Sequence, residues 1–258
     1  IDRLGAKYHI NNYLTALDLE RNADGDIQKR QSSNIYVDLY SKTLGMSLVI
    51  TLLCIALGYP VAYCLAHAPA RVAGVLLVMV LLPFWTSFLV RTTAWIALLQ
   101  TNGVVNSVLQ TVGLISEPLE LLYTPLATIL AMTHILLPFM ILPLYSVMKG
   151  IDPSHVKAAL SLGSPPFSAF VRVYLPQTIP GLSAGSLLVF ITAVGYYIIP
   201  ALVGGTDGQM ISNIIAYHMQ QSNNWGLASA LGSLLLAVIV MLYWLYDRLV
   251  GASNLKLS

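Results

Sequence analysis

The chain has 258 residues, 57% of them hydrophobic and 9% charged, with a formal net charge of +2. A water-soluble domain carries about 25% charged residues, so this composition excludes a water-facing globule, and so small a net charge gives no footing for a nucleic-acid partner. The apolar residues fall in long unbroken runs, which marks an integral membrane protein rather than an oversized core.

Residues 1–44 form the one conventional polar stretch. Six basic residues (Arg3, Lys7, Arg21, Lys29, Arg30, Lys42) balance six acids (Asp2, Asp18, Glu20, Asp24, Asp26, Asp38). It reads as an extracytoplasmic segment, either a disordered tail or a small helical cap, and a modest helical pattern over 11–19 favours the cap. The chain opens on Ile1 without a signal-peptide pattern, so the expectation is a start, and a further span, upstream.

A helix crossing about 30 Å of hydrocarbon needs about 20 apolar residues. Residues 45–66, 72–90, 121–148, 182–203 and 226–246 each supply such a run without a charge. The first holds nine Leu, Ile or Val residues, which together favour insertion by about 3–5 kcal/mol, and one central charge would cancel most of that. Five spans are expected. Cys54 and Cys64, ten positions apart in the first run, cannot bridge each other on a helix and read as buried thiols.

Residues 92–99 are too short to cross, and the stretch to 115 contains Asn102-Gly103; the expectation is a broken or surface-lying helix pair at the outer face. Pro60, Pro83, Pro138, Pro143 and Pro200 fall inside spans, where neighbouring helices or cavity water must satisfy the freed carbonyls. Small residues at four-residue spacing (Gly58, Ala62, Ala66; Ser229, Ser233, Ala237) allow close helix approach.

Arg71, the trio Lys149, Lys157 and Arg172, and the pair Arg248 and Lys256 lie on one side. Arg91, Glu117, Glu120 and Asp207 lie on the other. Basic short loops stay in the cytoplasm, which puts 149–181 and the C-terminus inside and 1–44 outside. The organisation expected is a transmembrane domain over 45–250 with a cytoplasmic tail at 251–258.

The 149–181 loop is the most informative stretch. Asp152-Pro153 suits a helix start, Val156, Ala159 and Leu160 share one face, and Gly163 can close the helix in a left-handed conformation. Ser164-Pro165-Pro166 restarts a second helix with Phe167, Phe170, Val171 and Tyr174 as apolar anchors. Leu175-Pro176 and Pro180-Gly181 are expected to end it before the fourth span. The result is a helix–glycine–helix elbow.

This elbow resembles the cytoplasmic coupling loop of binding-protein-dependent ABC importer permeases, whose pattern runs Glu-Ala-Ala, three residues, Gly, a spacer, then Leu-Pro. Ala158, Ala159, Gly163, Leu175, Pro176, Pro180 and Gly181 match; Lys157 departs, standing where the family usually has Glu. GYPVAYCLA at 58–66 and LPFWTSFLVRTTAWIALL at 82–99 look like the polyamine (spermidine/putrescine) branch. The resemblance implies an all-α membrane protein, a type I ABC importer transmembrane domain with six spans. It also implies a multi-pass permease subunit in a bacterial cytoplasmic (inner) membrane, lining part of the pathway of a small organic solute. Polyamine is the first choice of cargo, with amino acid, opine, phosphonate or ferric ion as alternatives. Implied partners are a second, homologous permease subunit, two ATP-binding subunits and an extracytoplasmic solute-binding protein. In that family the helix before the glycine docks on the ATPase, which assigns coupling to Ser154, His155, Val156, Lys157, Ala158, Ala159, Leu160, Leu162 and Gly163.

No G-x-x-x-x-G-K-[ST] loop occurs, so nucleotide phosphates are not cradled that way here; ATP and Mg are expected on partner subunits, with no cofactor in this chain. The spans lack Asp, Glu, Lys and Arg, which counts against a proton-driven carrier. A stand-alone secondary carrier is the second class considered. Candidate substrate contacts are Trp85, His134, Tyr196 and Tyr197, whose aromatic faces suit a cation, and Asp207 at the outer mouth. Helix packing and surface solvation are the competing explanations for each. The five histidines are scattered, so no metal set is expected, and no nucleophile–base constellation suggests an enzyme.

Overall fold

The computed structural model describes residues 10–22, 26–29, 35–246 and 248. Residues 1–9, 23–25 and 30–34 of the polar segment, and the tail at 251–258, lie outside the described residues. Among those described, four helices are long and apolar enough to cross a bilayer: α2 (Ile35–His67), α6 (Pro125–Gly150), the helical stretch Pro166–Gly195 and α12 (Trp225–Tyr246). A fifth span results if α3 (Ala70–Trp85) is joined to the stretch Phe88–Thr111, with a 95° bend at the break. The apolar runs are therefore helices, but their boundaries move.

The run at 72–90 is not one helix. Pro83 removes a donor from the last turn of α3, and Thr86 turns back on it, its N–H and Oγ1 both donating to the Pro83 carbonyl at 3.3 and 2.9 Å. Thr86 is extended, and α4 (Phe88–Leu99) starts afresh, followed by α5 (Val104–Thr111). The expected helix pair after residue 90 is thus present. The run at 182–203 is also corrected: the helix begins well before it and ends at Gly195, and α10 (Ile198–Val203) comes after Tyr196-Tyr197.

The chain divides into two compact units. One comprises Leu48–Ala94 and Ile129–Ala193. Its centre is Met140, fully buried on α6. A Cβ on Gly58 would come within 2.9 Å of Met140 Cγ, and one on Gly185 within 2.8 Å of its Sδ. A Cβ on Gly181 would meet the Pro143 carbonyl at 2.9 Å. Glycine at these three points lets α2 and α9 (Leu175–Gly195) pack directly on α6, where dispersion rather than hydrophobic exclusion holds helices together in lipid. Ala62, one turn on from Gly58, is likewise buried. Cys54 is buried and donates weakly to the Thr133 carbonyl at 3.6 Å, whereas Cys64 is exposed. The buried-thiol reading therefore holds for Cys54 alone, since Cys64 lines an open cavity with Pro60 and His134.

The second unit comprises Ile1–Ser47, Trp95–Thr128 and Val194–Ser258. The described part of its polar segment holds α1 (residues 10–16), then an antiparallel hairpin of β1 (Leu19–Arg21) and β2 (Ile27–Lys29), with Glu20 opposite Gln28. The hairpin is an addition to the all-helical expectation. Asp18, at φ 57 and buried, accepts from the Val37 N–H at 2.8 Å and so caps the start of α2. This cap lets α2 begin at Ile35, ten residues before its uncharged run. Tyr40 donates to the Leu231 carbonyl of α12 at 2.6 Å, and Thr43 Oγ1 accepts from the Ile211 N–H at 2.8 Å. Buried Asn106 ties together the loops on either side of α5, donating to the Thr101 and Leu119 carbonyls and accepting from Leu119 N–H at 3.0 Å. The small-residue stripe on α12 is not its packed face: Ser229, Ser233 and Ala237 are not buried, while Leu227, Ala228, Leu231 and Leu235 are.

Candidate coupling elbow and pathway residues

The elbow begins at Asp152. Its Oδ1 accepts from the Ser154 N–H at 2.8 Å, and that hydrogen bond, with the nearby charges of His155 and Lys157, holds the carboxyl below its ordinary value. Helix α7 (Ser154–Ser161) comes next. Its end is a Schellman turn: Gly163 N–H donates to the Leu160 carbonyl and Ser164 N–H to the Ala159 carbonyl, both at 3.0 Å, with Gly163 at φ 87. Pro165 is extended and Pro166 occupies the first turn of α8 (Pro166–Ala169). The glycine turn expected from sequence is therefore present.

The second rod departs from expectation. Leu175-Pro176 and Pro180-Gly181 do not stop it; α8, a π-helical turn (Phe170–Tyr174) and α9 run on as one stretch to Gly195. Pro176 lacks the donor for the Arg172 carbonyl and its ring crowds that group, and the wider π turn just before it provides the room. The Gln177 amide donates to the Val173 carbonyl at 2.7 Å, and Thr178 Oγ1 to Leu175 at 2.8 Å, so side chains supplement the loosened backbone. The elbow's second arm is therefore the membrane helix itself.

Of the four expected anchors, two serve. Phe170 and Tyr174 stack at 5.6 Å and meet Tyr63 of α2 edge-on at 5.9 and 5.5 Å; His67 lies 5.5 Å from Tyr174. Phe167 is 79% exposed and Val171 37%. A groove of about 350 Å³ separates this aromatic group from α7, lined on the α7 side by Val156, Lys157 and Leu160. His155 Nδ1 stands 3.0 Å from Gln177 Oε1. Ser154 and Ala158 are exposed, Ala159 is half-buried, and Leu162 is 89% exposed beside the turn.

The pathway candidates divide between the units. Trp85 and His134 belong to the first. Trp85 is 89% exposed at the end of α3, and His134 lines a cavity of about 480 Å³ with Pro60, Pro83, Pro138 and Cys64. Tyr196, Tyr197 and Asp207 belong to the second. The Tyr196 carbonyl accepts from Ser212 Oγ and the Tyr197 carbonyl from Asn213 Nδ2, each at 2.7 Å. The interruption between α9 and α10 thus has its freed acceptors satisfied from α11 (Ile211–Gln220). Asp207 is exposed on the loop after α10. Sequence reading missed Gln177, Ser212 and Asn213; only the polar residues amid an apolar surround hinted at them.

Residues 54–252 match the family model described as binding-protein-dependent transport system inner membrane component. The chain is 35% identical over 220 residues to the spermidine/putrescine transport system permease protein PotB of Escherichia coli (strain K12), covering 84% of this chain and 80% of that one. It is 31% identical to the inner membrane ABC transporter permease protein YdcU of the same organism, over 83% and 72% of the two chains. Among solved structures, a bacterial alginate ABC transporter complex superposes with a TM-score of 0.68 at 17% identity (84% and 78% covered). The MetNI methionine ABC transporter does so at 0.63 and 20% (84% and 94%). These structures establish the fold, that of a type I ABC importer transmembrane domain, and the family match establishes an inner-membrane, multi-pass transport subunit. The chain belongs to the family of inner membrane components of binding-protein-dependent transport systems.

Proposed function

We propose that this chain is one of two homologous permease subunits of a polyamine importer, assembled with two ATP-hydrolysing subunits and an external binding protein that delivers spermidine or putrescine. The observation that carries the cargo is the 35% identity to PotB across 84% of the chain. The elbow supports the coupling role: α7 presents His155, Lys157, Ala158 and Leu162 outward, and its glycine turn leads without interruption into a span. On this reading Ser154–Gly163 receives the ATPase, and the C-terminus lies in the cytoplasm, as the basic loops indicate.

The test is uptake of labelled spermidine and putrescine into vesicles holding the complete assembly. The expected result is ATP- and binding-protein-dependent accumulation. Uptake of an amino acid, opine, phosphonate or ferric ion without polyamine uptake overturns the cargo, and flux through this chain without any ATPase overturns the transporter class.

A further inference from the structure

The interruption between α9 and α10 borders a groove of about 220 Å³ formed within one unit by Tyr197, Gln209, Asn213, Tyr217, Gln220 and Gln221 together with small apolar residues. We propose that this groove holds one ammonium end of the diamine cargo on neutral oxygens and tyrosine ring faces. The inference rests on the polyamine reading above and adds a place and a chemistry to it.

Irregular backbone beside a span persists where it is buried in protein or lines a cavity. Here the backbone is already settled, since Ser212 and Asn213 occupy the carbonyls of Tyr196 and Tyr197. Asn213 is also committed through its Oδ1, which accepts from the Met210 N–H at 3.0 Å. The side chains of Gln209, Gln220 and Gln221 have no such duty toward other described residues, so three amide oxygens remain for a ligand.

Charge decides which ligand. Amides serve anions and cations alike, but from residue 196 to 246 the sequence holds no Lys or Arg and a single acid, Asp207, on the loop that also carries Gln209. Burial lowers the pKa of His218, beside Tyr217, so it adds no positive charge at neutral pH. Tyr197 and Tyr217, 38% and 49% exposed, offer ring faces that attract an ammonium and repel an anion. The volume falls below the roughly 300–1,000 Å³ of pockets for drug-sized molecules, which suits an aminoalkyl end rather than a sugar. A site of neutral oxygens also binds weakly enough to release its cation onward, as conduction requires.

The test uses the complete transporter in vesicles, with Cys54 and Cys64 replaced and Gln221→Cys introduced, labelled from outside by a membrane-impermeant maleimide. Saturating putrescine is expected to slow labelling by covering the thiol, with half-maximal protection moving to higher putrescine when Tyr217 is replaced by Leu, as loss of a cation–π contact requires. Butane-1,4-diol and sodium chloride at equal ionic strength are expected to leave it unchanged. Adding Gln220→Lys should abolish the protection and Gln220→Glu should strengthen it, a sign reversal that a purely structural role for Gln220 would not give. Absence of protection by putrescine, equal protection by the diol, or the same response to both charges overturns the groove. Uptake by the unsubstituted assembly, measured in parallel, separates that outcome from failure of the polyamine reading.

Discussion

His155 Nδ1 lies 3.0 Å from Oε1 of Gln177, tying the exposed helix α7 to the first turn of the membrane helix α9 across the glycine turn. The Gln177 amide nitrogen is occupied by the Val173 carbonyl at 2.7 Å, so its oxygen faces the imidazole and Nδ1 carries the proton. On the coupling role proposed above, two rods joined by a glycine turn transmit a displacement only if something resists their opening, and this hydrogen bond would do so.

Replacing His155 with Ala is therefore expected to leave insertion intact and lower the solute imported per ATP hydrolysed by a few-fold. That matches the loss of about 0.5–1.5 kcal/mol from one hydrogen bond. Gln177→Leu should do the same, and the double variant should be no worse than either single one, since both remove one contact. Additive losses measured in vesicles would mean that the two residues act separately.

The proposed coupling role can also be tested at Gly163. At φ 87 it sits in the left-handed region, yet a Cβ built there meets nothing within 4 Å. The penalty for a side chain is thus purely conformational, about 1–2 kcal/mol for an ordinary L-residue and less for Asn. Transport should fall from the native protein to Gly163→Asn and further to Gly163→Val, with all three inserted equally. Transport by Gly163→Val at the native rate would show that the turn geometry is not needed for coupling.

The parts of this architecture that were legible from sequence are those governed by local or additive physics. Insertion free energy sums over twenty or so residues, so the apolar runs were plain, and a left-handed glycine is decided by its own backbone. The proline rules failed at Pro176 and Pro180 because they describe helices in water, where a broken turn is readily solvated. Inside a span the chain keeps its helix and adjusts with a π turn and side-chain donors such as Gln177 and Thr178. Ser212 and Asn213 were out of reach because their partners lie 16 residues away, and no periodicity links a break to the helix that repairs it. The hairpin's strands are three residues each, too short to show an alternating pattern in sequence.

The start of α7 should depend on pH in one direction. Asp152 has its carboxyl pKa lowered, chiefly by the Ser154 N–H. Its support of the helix is therefore complete above the unfolded value of 3.8 and disappears as pH falls through the lower folded value. Protection of the α7 amides, taken as exchange relative to the intrinsic rate at each pH, should fall on acidification through that window, and Asp152→Asn should keep a weaker cap without the pH dependence. Protection lost equally in the Asn variant would assign the effect to another group.

Packing around Met140 governs stability where three helices of one unit meet through apolar contact. Gly58 of α2 and Gly185 of α9 approach the same buried side chain from two helices, with hypothetical Cβ distances of 2.9 and 2.8 Å to its Cγ and Sδ. Methionine is flexible, so a methyl at Gly58 can be met by a rotamer change, whereas one at Gly185 also presses the Met140 carbonyl and Cα at 3.2 and 3.3 Å. Two cannot, because the Cγ and Sδ would have to retreat from both sides in a filled core. Gly58→Ala and Gly185→Ala alone should each cost at most about 1–3 kcal/mol, the range for overpacking, and together more than their sum. Met140→Ala should relieve the double variant while destabilising the native chain by about 2–5 kcal/mol through the cavity it leaves. Thermal unfolding of these variants and the native chain in detergent gives the comparison, and simple additivity of the two alanines would show that α2 and α9 do not compete for one side chain.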